Sequence, residues 1–139
     1  MDYAVWNTLH DGSIESIGGV VPGDVAIQVG IAYLCEKLPT TANYLVVHLR
    51  GCTRFEYQPF DGETDSDLAH IVASDVEILS AKEVQGLVSV VCVNGFLKLA
   101  YNRTEISLAE GTVVSQSELE AAAKRYWTEW EEKIRQARG

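Results

Sequence analysis

Two apolar runs flank Asn94-Gly95 in residues 87–101, LVSVVCVNGFLKLAY, and this stretch limits the folds open to the chain more than any other. A two-residue type I′ turn needs positive φ at both central positions, which Asn tolerates and Gly adopts freely. A turn there pairs Val93 with Phe96, Cys92 with Leu97, Val90 with Leu99 and Val88 with Tyr101. Side chains alternate along a strand, so the last three pairs share one face, and it is almost wholly apolar. The opposite face carries Val93, Phe96, Val91, Lys98, Ser89, Ala100, Leu87 and Asn102, mixed but apolar enough to be partly covered. The hairpin is therefore expected at the centre of a sheet.

Residues 44–57 form a second alternating stretch. Leu45, Val47, Leu49, Gly51, Thr53, Phe55 and Tyr57 fall on one side, with Tyr44, Val46, His48, Arg50, Cys52, Arg54 and Glu56 on the other. A tight turn at Gly51-Cys52 would set Arg54 opposite Leu49 and Glu56 opposite Val47, forcing charge onto the apolar side at high cost. One long strand bent at Gly51 is expected instead, of the sort found in curved sheets and barrels.

Shorter signals fill in the rest. Residues 2–9 alternate Tyr3, Val5 and Asn7 with Ala4, Trp6 and Thr8, which predicts a first strand. A second runs over 13–21, interrupted at Gly18-Gly19, and a third over 25–31. Ile31, Leu34, Cys35 and Leu38 have helical spacing, so a short helix over 32–38 is expected to stop at Pro39. Residues 59–67 make a polar, acidic loop, followed by one or two helical turns at Leu68, Ile71 and Val72, capped by Asp65 or Ser66. Strands over 76–80 and 105–108 complete the sheet, the last closed by Glu110-Gly111.

The C-terminal helix, expected over 116–137, opens on a capping box formed by Ser115 and Glu118. Leu119, Ala123, Tyr126, Trp130 and Ala137 lie along one side, with Ile134, Trp127 and Ala122 at its margins. Glu120 and Lys124, Glu129 and Lys133, and Glu131 and Arg135 are spaced as supporting ion pairs. If the aromatic stripe packs on the sheet, Trp130→Ala should cost about 3–5 kcal/mol. The pattern as a whole predicts one α+β domain over 1–139. A mainly antiparallel, strongly curved sheet or partial barrel of seven or eight strands occupies 1–114, and the long helix packs on it.

Charge narrows the partners. The net charge is −9, and residues 118–139 contribute nothing to it, with five acids and five bases. The first 117 residues hold fifteen acids against six bases. Phosphate repulsion disfavours nucleic acid and anionic membranes, whereas a basic protein would be steered in. No apolar run reaches the ~18–20 residues of a membrane span, and the N-terminus does not read as a signal peptide. Cys35, Cys52 and Cys92 form no CxxC pair and leave an odd thiol, which fits free thiols in a reducing cytoplasm.

Catalytic signatures are nearly absent. Residues 18–23, GGVVPG, lack the Gly-Lys-Ser/Thr ending of a phosphate loop, and no GxSxG, HExxH or Cys/His metal spacing occurs. Asp61, Glu63, Asp65 and Asp67 alternate like the start of a calcium loop, but Ser66 stands where Gly is needed and Val72 where a bidentate Glu belongs. No metal and no cofactor is expected. His48 and Cys52 share a strand face but are about 13 Å apart along it, too far for a nucleophile and its base. What remains is His48, Arg50, Arg54 and Glu56 on one face of the bent strand, able to read an anionic ligand if they line the mouth of a curved sheet. The expected function is thus a small, acidic, soluble and cytoplasmic interaction protein without catalysis, inhibitor- or immunity-like by analogy with other small acidic α+β proteins. The alternative is a small-ligand-binding protein or enzyme using a pocket at that mouth. Either would be a monomer or a homodimer.

Overall fold

The computed structural model describes residues 2–138. The chain is α+β, with nine strands in two antiparallel sheets, three short helices and a long C-terminal helix. The N-terminus departs from the expected strand: residues Ala4–Thr8 form helix α1. Val5, Trp6 and Leu9 are almost completely buried, and their i, i+1, i+4 spacing places all three on one side of a helix. A strand would have sent Val5 and Trp6 to opposite faces. The Trp6 indole donates to the Tyr101 hydroxyl at 3.2 Å, and that hydroxyl donates to the Asp2 carbonyl oxygen.

Strands β1 (Ser13–Gly19), β2 (Gly23–Gly30), β3 (Tyr44–Cys52), β8 (Arg103–Leu108) and β9 (Val113–Val114) form one sheet in the order β1-β2-β3-β8-β9. The other is β4 (Arg54–Pro59), β7 (Gly95–Ala100), β6 (Leu87–Cys92) and β5 (Ile78–Val84), in the order β4-β7-β6-β5. Helix α2 (Ala32–Cys35) follows β2, and α3 (Leu68–Val72) precedes β5. The α3 cap is Asp67, whose carboxylate accepts the His70 N–H at 3.1 Å. Asp65, an expected cap, instead accepts the Asp67 N–H. Inward residues of both sheets join one cluster of buried side chains.

The strand expected over 44–57 is observed as two, β3 and β4, bent where Gly51 stands; the bend breaks the alternation, so Cys52, expected outward beside His48, is buried and Thr53, expected inward, is exposed. β3 pairs with β8 and β4 pairs with β7, so the two sheets are halves of one bent ribbon. Thr53 donates to the Ala100 carbonyl and Asn102 to the Arg50 carbonyl, both at 2.8 Å, which carries the ladder through the corner. Gly51 has φ +64, and a Cβ there would run into the Asn102 side chain. On the far side, a bridge between Ser13 and Glu77 ties the start of β1 to the lead-in of β5. Despite both seams, the sheets do not close into a barrel.

The central hairpin is β6–β7, as expected, but its register differs from the one predicted. Cys92 faces Gly95, Val91 faces Phe96, Val90 faces Leu97 and Val88 faces Leu99. The turn residues are Val93 and Asn94, neither with positive φ. The shift is two residues, so the same side chains remain inward: Val88, Val90, Cys92, Leu97, Leu99 and Tyr101 are all buried. The turn with positive φ at both centres lies at Gln85-Gly86, between β5 and β6 (φ +52 and +79).

Helix α4 (Gln116–Arg138) begins as expected. Ser115 Oγ accepts the Glu118 N–H at 3.1 Å, and a Glu118 oxygen accepts the Ser115 N–H at 3.3 Å. Leu119 and Ala122 enter the core, where the helix meets α1 and α2. Beyond them the expected burial fails: Trp127 is 39% and Trp130 45% exposed. At ~1.5 Å per residue, 23 residues span about 35 Å, longer than a small domain is wide. The distal half therefore runs past the body. Among the described residues, no helix is long and apolar enough to cross a membrane.

Candidate functional site

The four ligand-binding candidates stand on outer sheet faces, divided by the corner. His48 and Arg50 alternate with the buried Val47 and Leu49 of β3, and so point away from the core. Arg50 donates to Glu105 at 3.0 Å and lies 3.4 Å from Asp24, whose other oxygen accepts the Gly51 N–H at 2.9 Å. That backbone donor, with Arg50 beside it, holds the Asp24 carboxyl below its ordinary value. Arg54 and Glu56 lie on the outer face of the second sheet, joined at 2.7 and 3.3 Å. Both arginines are thus engaged by neighbouring carboxylates.

His48 Nε2 stands 3.1 Å from Ser107 Oγ, the one geometry here that resembles a nucleophile with its base. The surroundings do not complete it. Glu105, across from His48 on β8, is taken by Arg50 and Arg103. Ser107 sits mid-strand between β3 and β9, its backbone committed to ladder pairing, so no free pair of N–H groups is presented to a developing oxyanion. The thiols offer no alternative, being free and buried. Burial pushes Cys35 up to about 11 and Cys92 up to about 12, and raises Cys52 as well. Among the described residues, no three His, Cys, Asp or Glu side chains converge as metal ligands.

A cluster of aromatic side chains lies elsewhere, where α1, α2 and the root of α4 meet. A groove of about 600 Å³ is lined there by Tyr3, Asn7, Tyr33, Ala123 and Trp127, with Asp2, Glu120 and His10 as its titratable neighbours and no lysine or arginine. Tyr33 stacks against Tyr126 and Trp127, with ring centroids 4.7 and 5.6 Å apart, and Trp127 meets Trp130 edge-on at 5.8 Å. The Tyr33 hydroxyl donates to the His10 carbonyl at 2.6 Å; burial, with Asp11 nearby, pushes its pKa up to about 12. Glu129, spaced for Lys133, bonds Lys37, in the turn just past α2, and so braces α4 against the body; this bond draws the Glu129 carboxyl pKa downward.

Comparison with protein-family models, with curated proteins and with solved structures returned no match. The groove residues Tyr3, Tyr33 and Trp127 were missed by sequence reasoning because residues 2–9 read as a strand, which left no helix for α4 to meet. One signal did exist: a 23-residue amphipathic helix is too long for a small body to cover, so part of its apolar side had to remain outside.

Proposed function

We propose that this protein is a non-catalytic interaction module that docks a basic protein segment in the aromatic groove between α1, α2 and α4. The observation that carries this reading is the clustering of exposed aromatics at one place: Tyr3 and Trp127 line the groove, Trp130 meets Trp127 beside it, and all three are 37–45% exposed. Exposed aromatic patches mark interfaces, and Trp and Tyr dominate their binding energy. The charge agrees, because Asp2 and Glu120 flank the groove and the body around it is acidic. An acidic module that covers a basic protein is inhibitor- or immunity-like in kind, and free buried thiols suit a reducing compartment.

The test is titration with an amphipathic lysine-leucine helical peptide and with its glutamate counterpart, followed by tryptophan emission. The basic peptide is expected to bind with a blue shift, to weaken as salt rises, and to lose affinity in Trp127→Ala and Glu120→Lys. Equal binding of both peptides, or indifference to both variants, would refute the reading.

A further inference from the structure

The outer face of the β4-β7-β6-β5 sheet brings two lysines into one row. Four of the six basic residues before α4 are bridged to carboxylates: Lys37, Arg50, Arg54 and Arg103. The two that are not, Lys82 and Lys98, stand in the same row of this sheet. Register places Lys82 opposite Ser89 on one side and Lys98 opposite Ser89 on the other. With neighbouring strands ~4.8 Å apart, the two lysine backbones are about 10 Å apart with a hydroxyl between them. Glu56 is the next residue in the row, but Arg54 engages both its oxygens. Lys98 therefore keeps an uncompensated charge.

Apolar side chains flank this row, Val84 and Leu87 on one side and Phe96 on the other. Leu87, Val84 and Phe96 line an open groove of about 640 Å³ with the two lysines and Ser89, and Val84 is 41% exposed. That volume lies within the range of small-molecule sites. We infer that this groove binds a small amphipathic oxyanion, its carboxylate or phosphate head held by Lys82, Lys98 and the Ser89 hydroxyl, its apolar body on Leu87 and Val84 to one side of that row. A single head needs only these local charges. A polyanion such as nucleic acid would extend over a chain of net charge −9 and be repelled. The site shares no residue with the α4 groove, so it stands or falls independently of the peptide-docking reading.

The experiment is calorimetric titration of the full chain with octanoate, octyl phosphate and octan-1-ol, each below micelle formation. Saturable one-to-one binding of one or both anions is expected, with octanol at least about tenfold weaker, and the tighter of the two anions identifies the head group. Lys82→Gln and Lys98→Gln are surface changes that should leave the fold intact by circular dichroism. Each should weaken the anion about tenfold, and the double variant should remove detectable binding. Binding of octanol as tight as octanoate, anion binding unchanged in the double variant, or no saturation would each overturn the site. So would an oligothymidylate that binds more tightly than either anion.

Discussion

A Cβ on Gly95 would run into the Gln58 carbonyl and stand 2.9 Å from the Tyr57 ring, where β4 packs against Gly95 opposite Pro59. The glycine is needed there for space, and its φ is ordinary. Gly95→Ala is accordingly expected to cost at least about 1–3 kcal/mol in urea unfolding, since the obstructing atom is backbone and cannot step aside. A change below half of the lower figure would show that β4 can retreat. Gln85 is the converse case. It holds φ +52 without a side chain suited to it, beside a Gly86 around which there is open space. Gln85→Asn would install the residue that type I′ turns favour, and a gain of about 0.5 kcal/mol or more is expected by the same measurement.

Among the elements, α4 is two things in succession. Its first turns are core, and its second half is surface. Leu119→Ala should cost about 2–5 kcal/mol, the usual range for a buried leucine, whereas Trp130→Ala should cost under about 1 kcal/mol. Comparable losses for the two would mean that the distal half is covered in solution. α1 works differently, as an edge guard. Asn7 Oδ1 accepts the Ala81 N–H at 2.8 Å and its Nδ2 donates to the Ala81 carbonyl at 3.2 Å, while His10 Nδ1 meets the Leu79 carbonyl at 2.8 Å. Those are the backbone groups that an exposed edge strand would offer to another chain, and α1 with His10 just past it occupies them.

For the molecule as a whole, the buried titratable groups set the alkaline limit of stability. Cys35 and Cys92 rise from an ordinary 9.0 to about 11 and about 12, and Tyr33 from 10.0 to about 12. Unfolding lets each lose its proton earlier, so above pH 9 the unfolded state binds fewer protons and stability falls as pH rises. Their contribution is complete below pH 9 and is lost as pH climbs through 11 to 12. Urea-derived stabilities under reducing conditions should decline through that window by about 1 kcal/mol per pH unit for each group released, and by less for the half-buried Tyr33, which solvent screens. A flat profile from pH 8 to 11 would show that these groups reach solvent in the folded protein.

Period-two alternation along 44–50 and 87–101 was enough to establish which side chains face inward, because each strand has one buried face and a slip by an odd number would expose it; it failed at the corner, where Cys52 is buried and Thr53 exposed. A slip by two costs nothing in that pattern, so alternation alone left the register of β6 on β7 open. Residues 2–9 were likewise ambiguous until Trp6 found Tyr101, some ninety residues away in sequence. Both proposed surfaces belong to the same category. Lys82 and Lys98 become neighbours of Ser89 only through strand pairing, and Tyr3, Tyr33 and Trp127 meet only where three helices converge. Local sequence determines the face a residue takes, whereas its neighbours across the fold are decided when the strands pair and the helices dock.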